Sequence, residues 1–288
     1  YTGNGSNRNS TGYGFDPDWV WVKKREGGSN RSHQLFDTLR GAQQTLHSDG
    51  TGDSHSNGNR LSAFISDGFS IGTSGGDDGI NPSGADIVAW AWDAGSSTVT
   101  NTTGSISAQV RANATAGFSI IKYTGNGTQF ATIGHGLGVK PKSFIIKEMS
   151  GGTTTNWRVY HEGLNDGSSP EDFNLQLNDT DAENNRFDFA DTAPSSSVIT
   201  LGNHVSVNAN NEEYICYVFS EVPGYSAFGK YVGNGGAGTG KDGAYIYLGF
   251  RPQWIMVKRA SASENWCIWD DVRNSSNPTG SPSINENP

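Results

Sequence analysis

Short apolar runs are spread along the whole chain, and clusters of Gly, Asn, Asp, Ser and Pro separate them. The runs are roughly four to seven residues long and rich in β-branched and aromatic side chains, which predicts strands. In WVWVK, Trp19 and Trp21 project to one face and Val20 and Val22 to the other, so we expect this strand in the centre of a sheet. We therefore predict an all-β fold of tandem antiparallel β-sandwich repeats, jelly-roll-like in their turn spacing.

A five-residue phrase, Tyr-x-Gly-Asn-Gly, begins at Tyr1, Tyr123 and Tyr231. After each phrase come a Gly-x-x-Pro turn and an apolar strand, which ends in a lysine six residues after the proline. Because Asn-Gly is the commonest signal of a two-residue hairpin, we interpret the phrase as a structural turn of a tandem repeat. The three strings are GFDPDWVWVK from Gly14, GVKPKSFIIK from Gly138 and GFRPQWIMVK from Gly249, ending in Lys23, Lys147 and Lys258.

The repeat divides the chain into three predicted β-sandwich units, residues 1–116, 117–223 and 224–288. The second and third units open with GFSIIKY and GYSAFGKY, and no such strand precedes the first phrase. The first and second units close with IVAWAW and YICYVF, which have no counterpart in the third. We expect the first unit to lack its first strand, the third to be incomplete, and the chain to be an excerpt from a longer array.

Charge and composition narrow the range of partners. The chain has 20 Lys and Arg against 29 Asp and Glu, for a formal net charge of −9. A surface of this sign repels phosphates, so neither nucleic acid nor an anionic membrane is an expected partner. No apolar run is long enough for membrane insertion. Cys216 and Cys267 are too few for a disulfide scaffold and lack the spacing of a zinc site, and we interpret Cys216 as a small buried apolar residue.

Catalytic chemistry has no recognisable signature in the sequence. The zinc-protease motif HExxH and the phosphate-binding motif G-x-x-x-x-G-K-[ST] do not occur, and no pair of carboxylates recurs with the repeat. We predict that the chain is not an enzyme and that it has neither catalytic residues nor an organic cofactor.

An acidic loop, NDTDAEN, resembles the start of a calcium-binding loop, because Asp179, Asp181 and Glu183 occupy alternate positions. An EF-hand is excluded, since Asn184 stands where glycine is required and Ala190 where glutamate is required. A looser Ca²⁺ site at the three acidic residues is one prediction, and a solvated acidic loop is the alternative.

Two further metal hypotheses concern pairs of residues. Asp77 and Asp78 in SGGDDG offer carboxylates for calcium. His47 and His55 flank a short polar loop and have side chains that zinc binds. An ordinary polar surface is the alternative for each pair.

Eight tryptophans raise a carbohydrate-binding hypothesis, because exposed rings stack on the apolar faces of sugars. Trp157, Trp266 and Trp269 lie among polar and charged neighbours and form the predicted sugar platform. For the others that fall at repeated strand positions, core packing is the simpler explanation; these are Trp19, Trp21, Trp90, Trp92 and Trp254.

The repeated Y-x-G-N-G, G-x-x-P and Lys modules resemble those of long β-rich structural proteins of marine bacteriophages, cyanophages in particular. Such modules occur there in tail-associated or virion-surface proteins. The resemblance covers nearly the whole chain and implies an extracellular location on the virion surface, with other virion structural proteins as partners and a homo-oligomeric assembly. It transfers no catalytic residue.

The leading interpretation is a non-enzymatic structural component of a virion surface appendage, a phage tail fibre or capsid-surface fibre that contacts the host surface. The alternative is a carbohydrate-binding β-sandwich protein that recognises cell-surface polysaccharide. A polysaccharide-degrading enzyme is the least favoured class. Exposure of Trp157, or of Trp266 and Trp269, would favour the carbohydrate-binding alternative. Burial of all three would remove the main reason for that hypothesis.

Overall fold

The computed structural model describes residues 1–25, 32–73, 79–152, 154–235 and 243–273, together with the backbone of a short strand at 284–285. Strands account for 38% of the residues and helices for 6%, and the sheets are antiparallel, so the predicted all-β class is confirmed. The strands are β1 (Arg8–Thr11), β2 (Trp19–Lys24), β3 (Gln34–Asp37), β4 (Gln44–His47), β5 (His55–Ser56), β6 (Leu61–Ile65), β7 (Gly68–Ile71), β8 (Ile87–Trp92), β9 (Thr98–Asn101), β10 (Ala108–Asn113), β11 (Phe118–Thr124), β12 (Ala131–Gly134), β13 (Ser143–Glu148), β14 (Arg158–His161), β15 (Phe173–Gln176), β16 (Asn184–Asn185), β17 (Val198–Leu201), β18 (Glu213–Phe219), β19 (Trp254–Val257), β20 (Cys267–Asp270) and β21 (Ile284–Asn285). The helical segments are α1 (Val205–Asn208) and the 3-10 turns Leu164–Gly167, Pro170–Asp172 and Phe187–Phe189.

Three sheets form the body of the described structure. The first sheet has the order β5-β4-β3-β2-β8, the second β16-β15-β14-β13-β18-β11-β10-β9, and the third β19-β20-β21. Strand β2 lies between β3 and β8, which confirms the central position predicted for WVWVK. The order β8-β2-β3-β4-β5 of the first sheet returns in the second as β18-β13-β14-β15-β16. Two smaller outer sheets have the orders β1-β7-β6 and β12-β17.

Each outer sheet packs on one face of a larger sheet, as in a sandwich. In the first sandwich, Val20 and Phe36 of the first sheet pack with Phe69 of the outer sheet. In the second, Cys216 of the second sheet packs with Ile133 of the other outer sheet, and Cys216 is fully buried as predicted. The outer sheets therefore cover one apolar face of each large sheet.

The opposite faces of the large sheets meet in a central core. Trp19 and Trp21 of the first sheet pack there with Ile145 and Tyr217 of the second and with Trp266, which directly precedes β20 of the third. Alternate side chains of β2 thus enter two different cores, the tryptophans the central core and the valines the first sandwich. This is the physical reason why both faces of WVWVK are apolar.

The second sheet starts earlier along the chain than the predicted boundary at residue 116. Strands β9 and β10 precede that boundary, yet β10 pairs with β11 along its whole length, from Ala108 opposite Tyr123 to Asn113 opposite Phe118. Strands joined by a short connection readily pair antiparallel, and the observed pairing places residues 98–113 in the second sheet. The other divisions between the three units stay predictions.

The Tyr-x-Gly-Asn-Gly phrase is not a hairpin turn, so that interpretation is wrong. After Tyr123 the phrase joins β11 of the second sheet to β12 of an outer sheet, and these two strands do not pair with each other. A buried asparagine from a distant segment holds the phrase instead.

In the first copy this asparagine is Asn81, whose side chain is buried. Its Oδ1 accepts a hydrogen bond from the Asn4 N–H at 3.0 Å, and its Nδ2 donates to the carbonyl oxygens of Ser6 at 2.7 Å and Gly72 at 3.1 Å. The Gly5 N–H donates to the Asn81 carbonyl at 2.9 Å. One side chain thus joins the phrase to the residue that follows β7. We call this set of bonds the asparagine clamp.

The second copy repeats the clamp around Asn208. Its Oδ1 accepts from the Asn126 N–H at 2.9 Å, and its Nδ2 donates to the carbonyls of Thr128 at 2.9 Å and Gly202 at 3.2 Å. The Gly127 N–H donates to the Asn208 carbonyl at 3.1 Å.

The tyrosine that opens each phrase belongs to the same arrangement. The Tyr1 hydroxyl donates to the Ile80 carbonyl at 2.8 Å, and the Tyr123 hydroxyl donates to the Val207 carbonyl at 2.6 Å. Ile80 and Val207 each directly precede a clamp asparagine. The tyrosine and the asparagine therefore fix two consecutive residues of one segment.

The first glycine of the phrase is required by close packing. A Cβ at Gly3 would lie 2.1 Å from the Pro82 carbonyl oxygen, and one at Gly125 would lie 2.2 Å from the Ala209 carbonyl oxygen. Real Cβ atoms do not come this close to oxygen, so only glycine fits. The phrase is a docking loop with a defined backbone partner.

The third copy differs from the first two. No strand forms between β18 and β19 within the described residues, so the strand predicted for GYSAFGKY is not present. Tyr231 is 50% exposed, whereas Tyr123 is 2% exposed. The described third unit consists of β19, β20 and β21.

We predict that Asn208→Ala lowers the free energy of unfolding by roughly 2 to 4 kcal/mol, because the Asn126 N–H and the Gly202 carbonyl lose their side-chain partner and the Thr128 carbonyl loses one of its two donors. Urea unfolding followed by tryptophan fluorescence measures this. Asn210→Ala, an exposed position two residues away, is the matched control and should change stability by less than about 0.5 kcal/mol. Equal effects of the two substitutions on the free energy of unfolding would contradict the stabilising role of the asparagine clamp.

Candidate functional site

Two of the three tryptophans predicted to form a sugar platform are buried. Trp157 is fully buried, and its Nε1 donates to the carbonyl oxygens of His47 at 2.9 Å and Gly50 at 3.2 Å. Trp266 is 7% exposed, and its Nε1 donates to the Gln176 carbonyl at 2.9 Å. A ring in such a position has no face for a sugar, so the prediction of an exposed platform is wrong for both.

Trp269, the third member, is half-buried on β20. Without the other two rings it cannot form a platform. The two buried indoles instead join one sheet to the one before it, because His47 ends β4 of the first sheet and Gln176 ends β15 of the second. Their contact is a repeated interface between consecutive sheets.

A buried lysine accompanies the first of these interfaces. The Lys147 side chain, in β13, is fully buried, and its Nζ donates to the Thr51 carbonyl at 3.1 Å, the Glu148 carbonyl at 2.7 Å and the Thr155 Oγ1 at 3.3 Å. Thr51 lies just beyond β4 of the first sheet. The ammonium group therefore has three acceptors, one of which, the Thr51 carbonyl, lies across the interface.

Lys258 makes the corresponding contacts at the second interface. Its Nζ donates to the Thr180 carbonyl at 3.2 Å and to the carbonyl of its own neighbour Arg259 at 2.7 Å. Thr180 lies just beyond β15, as Thr51 lies just beyond β4. In the second and third copies, the lysine of the repeated strand thus binds the sheet before it.

The closing strand of the second sheet also contacts the first sheet. The Tyr217 hydroxyl of β18 donates to Asp37 Oδ2 at 2.8 Å, and Arg40 Nη2 donates to the Tyr217 hydroxyl at 3.3 Å. Asp37 and Arg40 form a buried ion pair. Burial raises the pKa of Tyr217 well above its ordinary value, so its hydroxyl stays a donor.

The same type of contact joins the first sheet to the third. Trp90 of β8 donates from Nε1 to Asp270 Oδ2 at 3.2 Å, and the guanidinium of Arg273, paired with Asp270, lies 5.6 Å from the centroid of the Trp90 ring. The rings of Trp92 and Trp254 meet edge to face, 5.6 Å apart. The second sheet contacts the first, the third contacts the second, and the first contacts the third, so the contacts form a closed cycle.

The aspartate–arginine pairs were not predicted, although the sequence contains a signal for them. In FDTLR, Asp37 directly follows Phe36, and Arg40 stands three residues after the aspartate. In WDDVR, Asp270 directly follows Trp269, and Arg273 stands at the same spacing. The second copy has YHEGL at this place, so the pattern occurs in two of three copies. A search for polar residues at repeated positions would have found it.

Burial strongly affects the charge of Lys147. It lowers the pKa of the Lys147 ammonium from 10.5 to about 8, and the carboxylates of Glu148 and Asp53 only partly oppose this effect. The group is charged at neutral pH at a cost in stability, because an ammonium loses hydration in the core.

The acidic loop does not assemble a calcium site, so that prediction is wrong. Asp179 Oδ1 accepts from the Thr180 N–H at 2.6 Å, Glu183 Oε2 accepts from the Asn165 N–H at 2.6 Å, and Asp181 is exposed. Within the described ranges, no group of three or more His, Cys, Asp or Glu side chains is placed to hold a metal ion. Asp77 and Asp78 lie outside the described residues.

The two histidines considered for zinc share a cation from the protein. The rings of His47 and His55 lie 5.3 Å apart, and Arg60 Nη1 lies 3.1 Å from His47 Nε2 and 3.4 Å from His55 Nε2. The guanidinium occupies the region that a shared metal ion would need. The structure therefore gives no support to the zinc hypothesis.

A surface pocket of about 400 Å³ lies beside the second sandwich. The exposed aromatic rings of Phe130 and Phe187 meet edge to face at its rim, with centroids 5.7 Å apart. The pocket is lined by Arg186, Phe187, Asp188, Asn203, His204 and Val205. No sequence motif marks this place.

A buried carboxylate forms the floor of the pocket. Asp188 accepts a hydrogen bond from Asn174 Nδ2 at 2.8 Å and lies 3.2 Å from Arg158 Nε and 3.6 Å from Arg186 Nε. His204 Nδ1 accepts from the Ser206 N–H, and burial lowers the pKa of His204, with the two arginines acting in the same direction and Asp188 opposing. The floor thus combines one carboxylate, two guanidinium groups and a neutral imidazole.

One family matches the chain, over residues 1–288, and its description is Domain of unknown function (DUF7483). The chain belongs to this family. No curated protein and no solved structure matches it. Among the described residues of this DUF7483 chain, no helix has the length and apolar character to span a membrane.

We predict that the free energy of unfolding of the wild type rises with pH relative to that of Lys147→Met. The folded pKa is about 8 and the ordinary value 10.5, so between these values the unfolded wild type binds more protons and its free energy of unfolding rises with pH. The shift corresponds to roughly 3 kcal/mol. Urea unfolding of both proteins between about pH 7 and pH 10 measures the difference and cancels the contribution of other groups.

The matched control for this experiment is Lys258→Met. Burial lowers the pKa of Lys258 as well, but this side chain is only half-buried and three carboxylates oppose the shift, so its pH dependence should be smaller. A pH-independent difference between wild type and Lys147→Met would overturn the assignment of a depressed pKa.

Proposed function

We propose that the chain is a non-enzymatic structural component of a virion surface appendage, a phage tail fibre or capsid-surface fibre, in which its sheets act as a rigid spacer that contacts the host surface. The observation that carries this proposal is the repeated buried contact between consecutive sheets. Its partners are other virion structural proteins and further copies of the chain.

A spacer has to hold successive units at a fixed angle. Contacts through water-exposed side chains do this poorly, whereas close-packed apolar cores with directional hydrogen bonds resist movement. The indoles of Trp157 and Trp266 and the ammonium of Lys147 supply such bonds within or beside the central core. This arrangement supports a mechanical role.

The electrostatics of the buried acids favours structure over catalysis. Asp37 is paired with Arg40, Asp270 with Arg273, and Asp188 lies between guanidinium groups. In each case a guanidinium group within the protein pairs with the carboxylate, so these side chains hold neighbouring segments together. These pairs support a non-enzymatic protein.

The location on a virion rests on the resemblance of the repeated modules to phage structural proteins. The net charge of −9 is compatible with an exposed particle surface that does not bind nucleic acid.

Immunogold electron microscopy tests the proposed location. Antibodies raised against the folded chain should label surface appendages of virus particles purified on a density gradient from infected marine bacteria. Pre-immune antibodies are the control. Gold found only in the particle-free fraction would overturn the virion role.

Carbohydrate binding is the second candidate function. Its candidate site is the pocket beside Asp188, because two of the three tryptophans are buried. Phe130 is 57% exposed and Phe187 is 37% exposed, next to the polar side chains of Arg186 and Asn203. Exposed rings beside planar polar groups are the combination that sugar recognition needs.

We predict for this second candidate that a cell-surface polysaccharide fragment binds in a glycan-array screen and that Phe187→Ala weakens the binding about tenfold, the effect of losing roughly 1.4 kcal/mol of stacking. Tyr245→Ala, which removes an 88% exposed ring outside the pocket, is the matched control and should bind as the wild type does. Equal binding by the Phe187→Ala and Tyr245→Ala variants would show that the pocket is not the glycan-binding site.

A further inference from the structure

The floor of the pocket beside the second sandwich carries more positive than negative charge, although the net charge of the chain is −9. The guanidinium groups of Arg158 and Arg186 both lie within 3.6 Å of the Asp188 carboxylate. We propose that the pocket binds an acidic sugar, with the carboxylate of a uronic acid against Arg186 and His204 and the sugar ring against the two aromatic rings at the rim. This proposal rests on carbohydrate binding, the second candidate function, and names the class of sugar.

The charges of the floor divide between the interior and the pocket. Arg158 Nε lies 3.2 Å from Asp188 Oδ2, and both side chains are buried. Arg186 Nε lies 3.6 Å from the same oxygen, which is too far for a hydrogen bond, and 34% of the Arg186 side chain is exposed. Asp188 also accepts from Asn174 Nδ2 at 2.8 Å. The carboxylate is therefore balanced from the interior by Arg158, and the charge of Arg186, which lines the pocket, is left for a ligand.

His204 places a second donor beside Arg186. Its Nδ1 accepts from the Ser206 N–H at 3.2 Å, so the neutral ring carries its proton on Nε2. A proton on Nδ1 would instead point at Asp188 Oδ1 over 3.4 Å and would leave the buried Ser206 N–H without its acceptor. Nε2 lies 3.1 Å from Arg186 Nη2, which is also a donor. Two donors cannot bond to each other, so a negatively charged ligand oxygen next to both would accept from both.

An aromatic ring stands at the rim in a backbone conformation that does not suit it. The Ala131 N–H donates to the Thr128 carbonyl at 3.2 Å, which makes Phe130 the third residue of a four-residue turn, with a φ of 63°. Glycine or asparagine is usual at such a position, and a bulky residue there costs free energy. The ring does little to offset this cost, because it is 57% exposed. Strain of this kind is typical of binding sites, and the ring meets Phe187 beside the pocket.

The charged floor is a property of the second copy and not of the repeat. The Gly202 N–H donates to the Asp188 carbonyl at 2.9 Å, and at the corresponding place of the first copy the Gly72 N–H donates to the Arg60 carbonyl at 2.7 Å. A buried arginine thus replaces the buried aspartate. The loop before β1 also differs, since a positive φ occurs there only at Gly5. The backbone of the repeat therefore forms without these charges and without the strained aromatic residue.

Isothermal titration calorimetry of the full chain tests the class of sugar. The probes are oligomers of galacturonic, glucuronic and mannuronic acid, each compared with its neutral methyl ester. At least one acidic oligomer should bind, and its methyl ester should bind at least about tenfold more weakly, because the ester has no charge to pair with the guanidinium. Failure of all three acidic oligomers to bind would overturn the proposal.

Two further outcomes separate this proposal from carbohydrate binding in general. Equal binding of an acidic oligomer and its ester would overturn the acidic class and leave carbohydrate binding intact. Binding of dextran sulfate without binding of any uronic acid would overturn the carboxylate as the bound group. Failure of every saccharide in the glycan array would overturn carbohydrate binding itself.

Arg186→Met tests the contact with the charge. The variant should bind the acidic oligomer at least about tenfold more weakly and the methyl ester as the wild type does. Arg251→Met is the matched control, because this side chain is 76% exposed and lies outside the pocket, and it should bind both probes as the wild type does. An equal loss for acid and ester in Arg186→Met would assign this arginine a structural role and overturn the proposed contact.

Phe130→Gly separates binding from folding. Glycine accepts a φ of 63°, so the variant should unfold at the same urea concentration as the wild type or at a higher one. It lacks the ring, so the acidic oligomer should bind about fivefold more weakly. Binding as tight as that of the wild type would remove the rim from the site and overturn the proposed orientation of the sugar.

Discussion

A single buried carboxamide organises each of the first two copies of the repeat. The side chain of Asn208 accepts one main-chain hydrogen bond and donates two, all away from competing water. Main-chain groups that are buried without a partner destabilise a fold strongly, so the loop, the end of the outer strand and the start of the closing strand have to meet at this residue. The position of each outer sheet on its large sheet follows from this constraint.

The contacts between sheets depend on a different interaction, namely hydrogen bonds from side chains that are buried in an apolar core. The central core is apolar, and apolar packing alone does not define how far one sheet slides along another. Directional donors placed within or beside this core remove that freedom. The indoles of Trp157 and Trp266 and the hydroxyl of Tyr217 each donate to an acceptor on a neighbouring sheet. The combination explains why side chains with a large apolar body and one polar atom occupy these positions.

The parts of this arrangement that depend on neighbouring residues could be predicted from the sequence. Alternation from Trp19 to Val22 was enough to predict a central strand with two apolar faces. The role of the Asn4 loop was not predictable in the same way, because its partner Asn81 is 77 residues away and nothing local distinguishes a clamped loop from a hairpin. Trp157 was interpreted as exposed for the same reason, since the carbonyl that its indole binds lies 110 residues away. Charged neighbours in the sequence indicate solvent only when the opposing surface is known.

The contact between Trp90 and Asp270 spans 180 residues and has a consequence for the order of folding. At a synthesis rate of about 5 to 20 residues per second, the first sheet waits roughly ten to forty seconds before the residues that cover Trp90 exist. During that interval its central-core face, with Trp19 and Trp21, is covered first by the second sheet as that sheet emerges. We therefore expect the cycle to close last, since contacts between distant residues form slowly.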